Sequence, residues 1–369
     1  MADTFAPVHD SQALNGAMRR LSMRQVGPYE LLAGITIAYL LVALIFVTAA
    51  GSDPVHLLLR SAASLKSFAQ MAQVMVPWWM VIAIVGLLVG VGHIRRRIWQ
   101  NKREILLSLI YCAVFTSVFG VVKNHLPTVV PFWADPLLTR IDAYTNPTVL
   151  FSWLNGFSTD ALFRFYINGW VLIATFLPAI LAVIDRNEAR RRNFILLWAA
   201  CWVGLGNVLA LIFMSVGPIF LDRLPGGDMS AYVWLSEMLA RDDARVLMLI
   251  KDQLWNTYAG QDFMIGSGIS AFPSVHVGMA TVVALYLATV LRELAGRIAL
   301  PAGRTVLRVL GWVVPVALVS VFQMLSVHLG WHYAVDGYAS IALMCALYWA
   351  LLRRDDRHAA KKASISKAR

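Results

Sequence analysis

The stretch GISAFPSVHVGMATVVALYLATVL, residues 268–291, opens with turn-forming Gly, Ser and Pro and then runs apolar without a charge. A titratable imidazole, His276, stands at the seam. A run of about 20 apolar residues is what a helix needs to cross a bilayer. A polar, ionisable group at the end of such a run is costly and leans toward a functional role. The rest of the chain repeats the apolar pattern. Of 369 residues, 59% are hydrophobic and 14% charged, where a soluble domain is nearer one half and one quarter. The mean hydropathy is +0.65. The short alternating segments of a β-barrel are missing, so the fold class predicted is all-α, a polytopic membrane bundle. Eight spans are expected, at 31–50, 73–93, 104–122, 163–184, 194–216, 273–291, 306–325 and 334–352.

The formal charge of +11 suggests nucleic acid until its placement is considered. The N-terminus, the loops GHIRRRIWQNKRE, DRNEARRRN and RELAGRIALPAGR, and the C-terminal tail hold most of the Lys and Arg. The longer connections 51–72, 123–162 and 217–272 hold few. Cytoplasmic loops carry the Lys/Arg excess, so both termini are expected inside and the three long loops outside. The positive charge is therefore topological, and no nucleic-acid partner is expected. The N-terminus is too polar and too long for a signal peptide. The tail RRDDRHAAKKASISKAR reads as a disordered basic anchor beside the membrane. Cys112, Cys201 and Cys345 all sit inside apolar runs, as small buried hydrophobes without disulfide or metal spacing. Two outer segments carry structure of their own. DPLLTRIDAYTNPTVLFSWLNGF suits the membrane interface, and 230–255 has helical apolar spacing but too much charge to span. The expected organisation is 1–103 with two extra spans, a membrane core over 104–353, and a basic tail over 354–369.

On the outward side, Ser270 or Ser274 can cap the helix that follows Pro273. The free N–H groups of its first turn then form an anion site beside His276. The second motif is SVHLGWHYAVDGYAS, 326–340. On a helix, His332 and Asp336 at i, i+4 share a face. The carboxylate then holds one imidazole nitrogen and leaves the other as a base or nucleophile. Both motifs begin outward-starting spans two apart, so they can converge. A metal reading would use His328, His332, Asp336 and His276, but Gly330 interrupts the helix it needs and no Cys or Glu completes the set. No metal and no other cofactor is expected.

Pro273-Ser274-Val275-His276 followed by His332-Tyr333-Ala334-Val335-Asp336 resembles the two motifs of the type 2 phosphatidic acid phosphatase superfamily. FPSVHVG with HYAVD is similar to its inositol phosphorylceramide synthase branch, since the phosphatases usually carry Gly where Val275 stands. LPTVVPFWADPLLTRIDAY is similar to a Pro- and Asp-containing loop of that branch. The resemblance covers roughly 104–352. It implies that His332 is the nucleophile taking the phosphoryl group, that Asp336 orients it, and that His276 protonates the leaving oxygen. Ser274 and its first-turn amides would hold phosphate oxygens. The chain departs from the phosphatases where their arginines stand. Ser326 occupies the position six residues before His332, and the span before the first motif ends FMSVGPIFLDRLP without their Lys-x6-Arg-Pro. Lys123, Arg223 and His328 are the candidate anion ligands that remain, with Arg164 able to compensate. A monoester is nearly dianionic and calls for several bidentate cations, so the loss favours a phosphodiester donor and head-group transfer between membrane lipids.

The expected function is a lipid phosphotransferase working through a phosphohistidine on the extracytoplasmic side of the cell membrane. A lipid phosphate phosphatase on the same fold is the alternative. A transporter is the reading from another class, but transporters place polar residues near the bilayer midplane, and here they lie at span ends. A catalytically dead scaffold would not need His276, His332 and Asp336 intact.

Overall fold

The computed structural model describes residues 26–55, 90–145, 151–260 and 268–367, with a few isolated positions between 59 and 86. Every regular element among them is helical. The helices are α1 (Pro28–Ala49), α2 (Gly92–Gln100), α3 (Lys102–Val129), α4 (Asp135–Thr145), α5 (Thr159–Ile184) and α6 (Glu188–Ile212). They continue as α7 (Val233–Leu239), α8 (Arg245–Ala259), α9 (Val275–Arg297), α10 (Pro301–His328) and α11 (Ala334–Lys367).

Six helices are long and apolar enough to cross a membrane: α1, α3, α6, α9, α10 and the part of α11 up to Asp355. The two halves of α5 meet at a 50° bend and together make a seventh candidate. The expected span at 73–93 lies almost wholly outside the described residues. The surface is inverted relative to a soluble protein. Val306, Val309, Trp312, Val313 and Val316 of α10 and Ile37, Leu41, Val42 and Ile45 of α1 are all exposed. In water such contiguous patches drive association, whereas a bilayer is their ordinary solvent. This makes the chain a multi-pass membrane protein.

Inside, Phe115 of α3 stacks near Trp198 of α6, and Phe119 meets Trp202 one turn along each helix. α1 packs on α3, and α9 and α10 form a hairpin with α11 alongside. Residues 200–209 of α6 are wound as a π-helix, a local rewinding often found beside functional sites. Cys112 and Cys201 are buried as expected, but Cys345 is exposed, because an apolar residue of a span can face lipid as readily as core.

One end of the bundle is tied by charge. Arg190 pairs with Asp185 and Glu293, Arg191 with Glu104, and Arg192 with Asp355. These are the basic loops of the sequence, gathered together. The opposite end carries the start of α9, the end of α10 and the start of α11. The tail differs from expectation, since α11 continues through it to Lys367 instead of ending at the membrane. Segment 230–255 also differs. It forms α7 and α8 with a turn between, and Asp243 of that turn accepts from the first amide of α5, Thr159. In return Asp160 of α5 accepts from Val246 and Leu247 at the start of α8.

Candidate active site

Ser274 ends the irregular 268–274 stretch and caps α9, its Oγ accepting from the Val277 amide at 3.3 Å. Ser274 is therefore the capping residue, and the Ser270 hydroxyl is buried without a protein partner. Pro273 stands just before the cap. His276 follows in the first turn, and its ring lies 5.7 Å from that of His332, centre to centre and edge to face.

His332 does not share a helix with Asp336 as its spacing predicts. α10 ends at His328, Gly330 turns the chain with φ +75°, and α11 begins only at Ala334. The contact forms nonetheless, because Asp336 reaches back over the first turn of α11. Its Oδ2 accepts from the Tyr333 amide at 3.0 Å and meets His332 Nδ1 at 3.3 Å. A shorter contact holds the same nitrogen, the Ala271 carbonyl at 2.8 Å. With two acceptors on Nδ1, that nitrogen carries the proton and Nε2 keeps its lone pair. Burial, with the Lys123 ammonium adding to it, pushes His332 down to about 3, so the ring is neutral across the ordinary pH range.

The structure brings Lys123 to this site. It sits near the end of α3, its ammonium 5.6 Å from the Phe119 ring centre, with no ion pair among the described residues. The charge is close enough to act on both imidazoles. Arg223 and His328 are engaged elsewhere. Arg223 bonds Asp252 at 2.5 Å and lies near Asp222, while the buried His328 ring stacks over Trp234 of α7 at 6.1 Å. Arg164 is exposed on the outside of α5. Among the described residues no group of three or more His, Cys, Asp or Glu is placed to hold a metal ion.

Several residues of the site escaped the sequence reading. In FRFYINGW of α5, Phe163, Tyr166 and Trp170 recur at helical spacing. Tyr166 stacks on His276 at 4.7 Å, Trp170 lies 4.2 Å from the same ring, and Phe163 stacks on Trp331. That periodicity was visible but is shared by any core helix. Gly217 allows a second close approach. It adopts φ +85°, and a Cβ there would stand 2.7 Å from the Trp331 carbonyl oxygen, so only glycine lets segment 215–217 lie against the histidine loop.

A buried imidazole pair at the ends of two spans, one ring with a fixed tautomer and an ammonium beside it that has no ion pair among the described residues, is suited to nucleophilic phosphoryl chemistry. A family model described as PAP2 superfamily matches residues 160–350, more than half of the chain. The chain belongs to the PAP2 superfamily. Comparison with curated proteins and with solved structures returned no match. PAP2 superfamily members are generally phosphatases or phosphotransferases, and membership suggests activity of that kind on lipid phosphates. The match takes in His276, His332 and Asp336 as well as the aromatic face of α5, but not Lys123 or α4.

Proposed function

We propose that this PAP2 protein is a membrane-embedded lipid phosphotransferase, related in mechanism to the inositol phosphorylceramide synthase branch, whose nucleophile is His332. The observation that carries the reading is the double hold on His332 Nδ1, which leaves Nε2 as a lone pair beside His276. In the first step Nε2 attacks phosphorus and the bond to the leaving oxygen breaks. Protonated His276 gives its proton to that oxygen, and the incoming anion supplies the negative charge that the imidazolium pairs with. In the second step the acceptor hydroxyl returns a proton to His276 and attacks the phosphohistidine. The P–N bond breaks and its electron pair goes back to Nε2. Asp336 and the Ala271 carbonyl hold the ring through both steps. Lys123 and the first-turn amides behind Ser274 meet the phosphoryl oxygens.

Lys123, the one cation that acts on both imidazoles among the described residues, supports a phosphodiester donor, which carries one negative charge. Arg223, paired with Asp252 of α8, and His328, stacked on Trp234 of α7, anchor the outer segment instead. The basic loops at the opposite end support an extracytoplasmic site with cytoplasmic termini. The closest competing reading uses water as acceptor. Purified protein in nanodiscs, given radiophosphorus-labelled phosphatidic acid or a labelled phosphodiester lipid, separates the two. Transfer of label to an added lipid alcohol supports the transferase. Rapid release of free phosphate from phosphatidic acid without any acceptor supports the phosphatase.

A further inference from the structure

One buried carboxylate at this end of the bundle, held by several donors, is not used by the mechanism above. Asp135, the first residue of α4, is only 2% exposed. Its Oδ1 accepts from the Val216 and Gly217 amides at 3.0 Å and from the Tyr333 hydroxyl at 2.8 Å; Oδ2 also accepts from Val216 at 3.0 Å. No cation pairs with it among the described residues. Burying a carboxylate on neutral donors alone is expensive, and burial pushes its carboxyl above the ordinary range while these donors pull it back.

The partners of Asp135 lead to one place. Segment 215–217 passes the hold to the residues before α9: the Ser215 carbonyl accepts from Ala271 at 2.8 Å, and the Ser215 hydroxyl accepts from Phe272 at 3.0 Å. The Ala271 carbonyl then holds His332 Nδ1. The second route is shorter, through the side chain of Tyr333, the residue next to His332. Two hydrogen-bonded paths therefore leave one carboxylate and close on one imidazole, joining α4 to the segments that precede α9 and α11.

We propose that Asp135 is a positioning residue for His332, fixing the direction of Nε2 through Tyr333 and through the 215–217 and 271–272 backbone. The proposal rests on the reading of His332 as nucleophile. Misplacement of a reacting group by about 1 Å can cost on the order of 100-fold in rate, so the path should register in turnover and not in substrate affinity.

The test uses full-length protein in nanodiscs, with Tyr333→Phe, Asp135→Asn and wild type compared. Tyr333→Phe removes one oxygen from a fully buried ring and leaves the packing in place, so it decides the matter if Asp135→Asn does not fold. The kinetic arm uses the labelled phosphodiester lipid. Turnover is expected to fall about 10- to 100-fold in Tyr333→Phe, with KM within about twofold. The spectroscopic arm uses nitrogen-15 histidine spectra, assigned by loss of the His332 signal in His332→Gln. Wild type should give a single Nδ1–H tautomer, and Tyr333→Phe a mixture. Unchanged turnover in folded Tyr333→Phe would overturn the proposal, and so would reduced turnover with an unchanged His332 spectrum. If wild type turned over no lipid phosphate, the proposed function would fall, and the histidine spectra would still report whether Asp135 governs the ring.

Discussion

At His332 the ring is held at one nitrogen and open at the other, and that asymmetry makes specific demands on substitutions. His332→Gln should lower turnover at least 1,000-fold, on the order of the loss seen when a covalent nucleophile is removed, and abolish labelling of the protein by a radiophosphorus lipid. His276→Gln should lower turnover by about 100- to 10,000-fold, the usual contribution of a positioned general acid, without preventing binding. The depressed His332 pKa also has a stability consequence. Unfolded imidazole titrates near 6.5, whereas the folded ring, surrounded by Lys123, His276 and Asp336, titrates at about 3. The fold resists protonation there, so its contribution to stability is complete above about pH 6.5 and is lost as pH falls toward 3. Melting temperature should therefore drop from pH 7 to pH 5 more steeply in wild type than in His332→Gln. Asp142, which burial raises to about 6, acts in the opposite direction in both proteins and cancels in the difference. An equal slope in the two would show that His332 is not held neutral by the fold. The two histidine motifs were legible because polar groups at the ends of apolar runs are conspicuous. The Ala271 carbonyl was not, since a backbone acceptor leaves no mark in the sequence.

Helix α4 shows how an element can be built inside out. Its buried face carries Asp135, Leu138 and Asp142, while Leu137, Ile141 and Tyr144 are exposed. Asp142 accepts from the Ala334 amide at 2.7 Å, so one acid of α4 caps α11 while the other serves the loops. Asp135 and Asp142 are seven residues apart and so share one helix face, but in a mixed segment, DPLLTRIDAYT, two acids read as readily as a solvated face. That the face turns inward became clear only with the loops in place. The outer segment follows the same logic. Asp160 and Asp243 cap each other's helices, and either change to Ala should cost about 1 kcal/mol, the usual value of a lost cap. Denaturant titration in detergent measures this, and a cost below a few tenths would mean the caps are redundant. The apolar spacing of 230–255 carries across the break and predicts one helix; in the structure the chain turns at Asp243, whose carboxylate accepts from the Thr159 amide. Gly217→Ala should be more damaging than either cap, about 1–3 kcal/mol for the positive φ alone, with turnover falling as the Trp331 loop is displaced.

For the whole molecule, the apolar composition determined the bundle and its lipid-facing surface, and the Lys/Arg bias implied which end faces inward. The gathering of Arg190, Arg191 and Arg192 with Asp185, Glu293, Glu104 and Asp355 is a feature of packing that loop composition alone does not specify. The expected orientation can be read by cysteine labelling in a Cys345→Ser background, since the other two thiols are buried. Trp153→Cys, at the histidine end, should react with a membrane-impermeant maleimide on intact cells. Arg297→Cys, at the basic end, should react only after permeabilisation, and the reverse pattern would invert the topology. The central claim concerns bond formation at His332. Purified wild-type protein is mixed for milliseconds with a radiophosphorus-labelled phosphodiester lipid, quenched in alkali, digested and mapped by mass spectrometry. The account predicts a phosphorylated adduct on the peptide bearing His332, formed and then discharged when a lipid alcohol is added, and missing in His332→Gln. Turnover of that lipid with no adduct at His332, or with an adduct that persists in His332→Gln, would contradict it.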